Sequence, residues 1–451
     1  MTAPAAVAVF MLAACRPASI PDLLAARTGV VELPAGDFVI AHEIRIPPDA
    51  SRLEIRGSPD GTTLRASDHF SGRAILFVDG AREIAVRNLR IDGNREALEK
   101  RAGLPPSDVP FIAYQAANGI AADRADGLRI ESVAVAGVAG FAVLVARSNS
   151  VILDRIDVRD SGSRNEMGRN NTTGGILLEE GTRDFTVRNC SLDRVLGNGI
   201  WTHSLYTSPR NTRGLITGNR FRRIGRDAIQ VGHATRIRVE NNTGRDIGHP
   251  ENVVDAEGGG TPVAIDTAGN VDQSVYTFNR FEEVNGKCID LDGFHHGEVS
   301  RNTCVNRGPA AQYAFGHYGI VMNNANPDMQ SEQIRVTENV IDGAKFGGIF
   351  VIGQGHTITG NRLINLNTAG CNESAAWFGC SHFPGEPDLL QSGIYLGRRA
   401  ERPAPASDNL IDGNLIMGHK MASRCLGFAP EVSRAANRIG SNRCLDAPHS
   451  P

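Results

Sequence analysis

The sequence predicts an all-β solenoid, and three observations predict it. A single frame recurs, with a hydrophobic residue followed by set residue types at fixed offsets: Val187, Cys190, Leu192 and Val195, then Ile216, Asn219, Phe221 and Ile224. It returns around Asn242, Asn279, Asn302, Asn339, Asn361 and Asn414. A second strand signal accompanies it, a small residue before an aliphatic one, as at Gly119-Ile120, Gly175-Ile176, Gly199-Ile200, Ala228-Ile229, Ala264-Ile265, Cys288-Ile289, Gly319-Ile320, Gly348-Ile349 and Gly393-Ile394. The shortest interval between ladder positions is about 22 to 23 residues, one bare turn of three short strands. No such strand buries its apolar face alone, so successive turns must stack.

The frame's Asn suits an inward-facing bend. Its amide can bond backbone and the matching Asn of the next turn, satisfying groups that would otherwise be buried unpaired. Earlier turns carry Leu89, Val133 and Ile156 at that position instead.

These residues resemble the right-handed parallel β-helix proteins of the pectin-lyase-like superfamily, over roughly residues 80 to 420. The resemblance implies a single-stranded right-handed parallel β-helix of about eleven turns with an N-terminal cap. It also implies that the chain acts on or binds glycans, since the superfamily holds polysaccharide lyases, glycosidases, uronate epimerases and tailspikes.

In chain order, residues 1–15 end an apolar run in Leu12-Ala13-Ala14-Cys15 and resemble a lipoprotein signal with Cys15 as the lipidated residue. An exported protein, periplasmic or at the cell surface, is expected, touching a membrane only through that anchor. Residues 16–80, with Leu33-Pro34-Ala35-Gly36, read as N-terminal capping turns that cover an exposed solenoid edge. Residues 81–420 form the helix and 421–451 a C-terminal cap or tail. Export permits disulfides. Cys371 and Cys380 bracket a short loop and Cys425 and Cys444 a terminal segment, so both pairs are expected staples, whereas Cys190, Cys288 and Cys304 read as core thiols. No cysteine spacing resembles a zinc site, and no metal is expected.

A net charge of −3 and a pI of about 6.5 provide no field for nucleic acid. The partner expected is a polysaccharide or oligosaccharide. The cations are nearly all Arg, with Lys only at Lys100, Lys287, Lys345 and Lys420.

Insertions lengthen the chain before Ile120, Ile176, Ile265, Ile320 and Ile394, and after Ile200, Ile320 and Ile394. Both sets flank the Gly-Ile sheet, while the turn between the other two strands keeps its length. Walls on both sides of one sheet make a groove, with that sheet as its floor.

In a strand written Gly-Ile-x-Leu-x, the two x positions point outward. The first outward column reads Leu177, Trp201, Gln230, Asp266, Asp290, Val321, Phe350 and Tyr395; the second includes Glu179, His203, Asp292 and Asn323. With turns about 4.8 Å apart, Asp266 and Asp290 are neighbours, and Asp292 lies roughly 7 Å from Asp290. Carboxylates so close do not all ionise cheaply, so one keeps a proton near neutral pH unless a cation such as Ca²⁺ binds them. Glycoside hydrolysis needs that division of labour. Asp266, Asp290 and Asp292 are therefore the expected catalytic residues. Trp201, His203, Gln230, His317, Tyr318, Asn323, Phe350 and His295 are expected to bind substrate, with the aromatic faces meeting sugar rings.

Named families match only partly. Polygalacturonase-type enzymes carry Asn-Thr-Asp, Asp-Asp, Gly-His-Gly and Arg-Ile-Lys motifs, none of which is present, and Ile200-Trp201-Thr202-His203 lacks the Asp of the pectate-lyase run. The expectation is a glycoside hydrolase without a cofactor. The alternatives are a lyase or uronate epimerase, for which Ca²⁺ and a base among His317, Tyr318 and Lys287 would be called for, and a non-catalytic glycan-binding or surface-structural protein.

Overall fold

The computed structural model describes residues 19–101, 103–256, 260–323, 327–371, 380, 385–386, 388–400 and 402–447. The signal-like segment 1–15 with Cys15 lies outside them. Short strands stack in parallel register into three sheets around one apolar core. In the first sheet Ile176, Ile200, Ile229, Ile265, Ile289, Ile320, Ile349 and Ile394 sit directly above one another, as the alternation of small and aliphatic residues requires. The frame's first and third positions divide between the other two sheets, with Val187 over Ile216 in the second and Leu192 over Phe221 in the third.

Between those two sheets the chain bends at the Asn ladder. The residue before each ladder position is left-handed, including Asn241, Phe278, Arg301 and Glu338, with φ from 55° to 56°. That conformation is costly for a side-chain-bearing residue, so the bend needs compensation. The amides supply it. Asn279 donates through Nδ2 to Asn302 Oδ1 at 2.9 Å, and Asn302 to Asn339 Oδ1 at 3.0 Å. The ladder continues to Asn442, one position beyond the last that the frame contains.

Stacking extends past the segments expected as caps. Leu76 lies under Ile120 and Ile44 under Leu76, while Leu426 lies over Ile394. Residues in 16–80 and 421–451 thus supply rungs of the same three sheets, and the short helix Ile20–Leu23 adds Ile20 and Leu24 to the core.

Cysteine pairing departs from expectation at one place. Cys371–Cys380 and Cys425–Cys444 are disulfides as expected, but Cys288 and Cys304, expected as core thiols, are also bonded. Cys288 belongs to the first sheet and Cys304 to the third, on the next rung across the bend at Asn285-Gly286, which brings their Cα atoms to 6.1 Å. Cys190 remains a buried thiol, pushed up to about 12 by burial. Among the described residues no helix is long and apolar enough to cross a membrane.

Candidate active site

The outward column of the first sheet stands as the alternation implies. Leu177, Trp201, Gln230, Asp266, Asp290, Val321, Phe350 and Tyr395 are in register from rung to rung. Asp266 comes from the strand Val263–Asp272 and Asp290 from Lys287–Asp292, so the two carboxylates face one another across adjacent rungs.

Each acid has its own partner. Gln230 Nε2 donates to Asp266 Oδ2 at 2.6 Å, and Asn198 Nδ2 donates to Gln230 Oε1 at 2.8 Å, which fixes the orientation of the Gln230 amide. Lys287 Nζ donates to Asp290 Oδ2 as an ion pair. A third carboxylate joins them from the rung below. Asp227 is 2% exposed, its Oδ2 lies 3.7 Å from Arg226 Nε, and its Oδ1 has no hydrogen-bond partner among the described residues.

Burial and mutual repulsion set their protonation. Asp266 is 8% exposed, and burial, then the charges of Asp227 and Asp290, raise its pKa well above the usual carboxylate range against the opposing pull of Lys287 and Gln230. Burial likewise raises Asp227 to about 7, with Arg226 opposing it. For Lys287, burial works against the charge but the neighbouring carboxylates, Asp290 first, outweigh it and raise its pKa. The result is an acid biased toward its protonated form beside an ion-paired carboxylate. Such a pair can give a proton to a leaving oxygen and accept one from a nucleophile.

The insertions shape access. The residue before Lys287 must be glycine, because a Cβ on Gly286 would lie 1.8 Å from the Pro262 carbonyl oxygen of the insertion beneath. The insertion preceding Ile320 brings in His317, whose ring is held by Tyr318 and Phe346. Burial, then the charge of Lys287, pushes His317 down to about 3, so its imidazole is neutral. Over the next rungs a cavity of about 290 Å³ opens from Lys287, lined also by His317, Val321, Asn323, Phe350 and Arg399.

Expected binding residues divide accordingly. Gln230, His317, Asn323 and Phe350 lie at the acids or along the cavity, and Asp292 stands at the end of the Asp290 strand, in register with Asn323. Tyr318 lines the cavity as well, but its hydroxyl donates to the Leu389 carbonyl. Trp201 does not offer a face to sugar. The insertion before Ile120 folds over the lower rungs and packs Phe111 at 5.1 Å from the Trp201 ring, with Phe141 and His203 also against it. Glu179 fixes that cover by accepting the backbone N–H groups of Phe111 at 3.0 Å and Ile112 at 2.6 Å. Tyr395, at the end of the same outward column, is fully buried and donates to Glu386 at 2.9 Å. His203 belongs to the Trp201 cluster, and His295 lies on the far segment of the turn beside Asn270.

Two residues of the site were not in the predicted catalytic set, Asp227 and Lys287. A column two residues before each Ile reads Asn198, Asp227, Val263, Lys287 and Tyr318, and would have located both.

Comparison with known proteins places the architecture. A family model described as the right handed beta helix region matches residues 73–270. Among solved structures, the chain superposes on the Dettilon tailspike protein with a TM-score of 0.55 at 14% identity, covering 76% of this chain and 61% of that one. The catalytic unit of a thermostable GH87 α-1,3-glucanase from Streptomyces thermodiastaticus gives 0.52 at 15% identity, covering 95% and 66%. The A-module of a mannuronan C-5 epimerase from Azotobacter vinelandii gives 0.51 at 13%, covering 76% and 88%. The chain thus spans less than two thirds of the length of the tailspike and of the glucanase unit. No curated protein sequence matches it. At these identities the likeness is one of fold, and the chain folds as a right-handed parallel β-helix.

Proposed function

We propose that this right-handed β-helix hydrolyses a glycosidic bond in a polysaccharide or oligosaccharide, with Asp266 as proton donor and Asp290 as its ionised partner. The observation that carries the reading is the register of a buried carboxyl group with a neighbouring carboxylate fixed by Lys287, on adjacent rungs of one sheet. In the reaction, the Asp266 proton passes to the bridging oxygen as its bond to the anomeric carbon breaks. A water oxygen ends on that carbon and its proton on carboxylate. Asp227 shares its charge interactions with both acids and favours the proton remaining on Asp266. Asp292 and Asn323 sit where the cavity rim meets the strand ends.

The fold supports a glycan as substrate, since the tailspike, glucanase and epimerase share it, and the last two are named for activities on sugar polymers. Three disulfides fit export to the periplasm or cell surface. The lipid anchor at Cys15 belongs to the same proposal. The hydrolytic reading requires no cofactor, and Ca²⁺ belongs to the elimination alternative.

Elimination or epimerisation would need a free base, and the candidates are engaged or weak. Lys287 is paired with Asp290, the Tyr318 hydroxyl is given to Leu389, and His317 is held far below the pKa of an effective base at neutral pH. The test is incubation with a panel of neutral and uronate-containing glycans, followed by reducing-end release and absorbance of unsaturated products. New reducing ends without that absorbance support hydrolysis. Unsaturated product overturns it, and binding without turnover on every glycan favours the non-catalytic alternative.

A further inference from the structure

Below the acids the outward face of the first sheet is sealed. Its column continues down from Trp201 through Leu177, Leu144 and Ala121 to Phe77, in register from rung to rung. All five side chains are buried in one apolar cluster with Phe111, Ile112 and Phe141. Glu179, itself fully buried, pins that cover through the N–H groups of Phe111 and Ile112. A single rung of floor, that of Gln230, separates Trp201 from Asp266, and the Gln230 amide is already engaged at both ends by Asp266 and Asn198.

The upper end is closed as well. The insertion before Ile394 crosses the column there: the Leu389 carbonyl accepts from Tyr318, Glu386 accepts from Tyr395, and Leu389 and Leu390 border the cavity. Tyr395 is stacked on Phe350 with ring centroids 5.9 Å apart. The floor thus runs from Gln230 to Phe350, four steps of about 4.8 Å, or about 19 Å. Walls stand on both flanks. Where the chain enters the sheet, the insertions before Ile176 and Ile265 are joined, Asn165 Nδ2 donating to Asp255 Oδ2 at 2.9 Å and the Asp255 N–H to Asn170 Oδ1 at 2.8 Å. Where the chain leaves it, the insertions after Ile200 and Ile320 meet, with the Tyr206 hydroxyl 3.8 Å from Met329 Sδ.

We infer that the site takes one end of a glycan chain and not its interior, an inference that rests on the reading above, in which Asp266 and Asp290 mark where the bond breaks. A chain bound by its interior has to continue past the acids in two directions. Along the sheet it would run into Phe111 and Leu389, and across the sheet into the two joined walls. An end continues in one direction only, outward over the rim at Asn323 and the half-exposed Arg399. The cavity of about 290 Å³ stands at the lower limit of small-ligand sites, about 300 Å³, and suits one or two sugar units.

The test follows the full chain on the glycan it cleaves, with products separated by size from the first minutes of reaction. One short product at every time point is expected, while the mean length of the polymer hardly changes. A ladder of intermediate lengths with an early collapse of viscosity would overturn end-on binding and leave hydrolysis standing. Unsaturated ends on a single short product would do the reverse. Binding is measured separately, by calorimetry on Asp266→Asn with oligosaccharides of increasing length. Sugars beyond the rim gain no contact, so affinity should change by less than about twofold per added unit once the cavity is full. Affinity that keeps climbing with length, or that is equal for a cyclised glycan with no ends, overturns the inference, and absence of binding by every glycan at millimolar concentration overturns both readings.

Discussion

Asp266 and Asp290 are in register on adjacent rungs, the first accepting from Gln230 at 2.6 Å and the second paired with Lys287. Burial and the neighbouring charges favour the protonated form of Asp266, while Asp290 is held in an ion pair with Lys287, which separates an acid from a base. Asp266→Asn keeps the shape and the neighbouring amide but has no proton to give. On whichever glycan the parent turns over, kcat should fall by about 10²–10⁴-fold, the range of general acid catalysis, with KM little changed. Loss confined to KM would remove Asp266 from the chemistry.

The buried carboxyl groups should also shape stability against pH. Asp227 sits at about 7 in the folded chain, raised by burial from 3.8. Between those values the folded state holds a proton that the unfolded state has released, so this group's contribution is fully present below about pH 4 and is lost as pH rises through 7. Asp227→Asn removes the titration. Relative to the parent, the variant should gain on the order of 2 kcal/mol on moving from pH 5 to pH 8. Paired melting curves at the two values measure it, and a constant difference between parent and variant would contradict the assignment. Activity should decline on the alkaline side for a related reason, as Asp266 loses its proton.

The outward column was legible because strand alternation has period two, and one strong position, the Ile, sets the parity of every neighbour. Asp227 precedes its strand and Lys287 is the first residue of its own, next to the bend that suspends alternation, so the parity rule does not reach them. The cover over Trp201 was not legible for another reason. Its path depends on Glu179 meeting two backbone N–H groups more than sixty residues away in sequence, and nothing local to Phe111 or Ile112 specifies that contact. The Cys288–Cys304 bond depends likewise on the sharpness of one bend between rungs. Local periodicity fixes the scaffold, whereas insertions are placed by contacts that periodicity does not contain.

That disulfide lies directly behind the site, since Cys288 falls between Lys287 and Ile289. Closing a loop of 16 residues restricts the unfolded chain by about 3 kcal/mol in the loop-entropy description. Cys288→Ser/Cys304→Ser should therefore melt below the parent by a matching amount. It should also lose turnover beyond what stability explains, because Lys287 is no longer anchored from behind. Equal activity at a temperature where both proteins are folded would show that Lys287 is positioned by Asp290 alone.

The last prediction concerns the Asn ladder. Asn302 accepts from the backbone N–H of Asn279 at 3.1 Å and its side chain at 2.9 Å, and donates to the Tyr276 carbonyl at 2.9 Å and to Asn339 at 3.0 Å. Asn302→Ala leaves these buried groups without partners in a space too tight for them to turn elsewhere. A loss of about 2–4 kcal/mol is expected, from about 1–3 kcal/mol for each orphaned group with partial relaxation. Asn302→Leu is the sharper experiment, because Val133 and Ile156 show that an aliphatic side chain fits this bend when its neighbours are aliphatic too. Set between Asn279 and Asn339, a leucine fills the volume but satisfies no polar group, so it should destabilise about as much as alanine. A leucine variant as stable as the parent would mean that packing, not hydrogen bonding, holds the bend in its left-handed conformation.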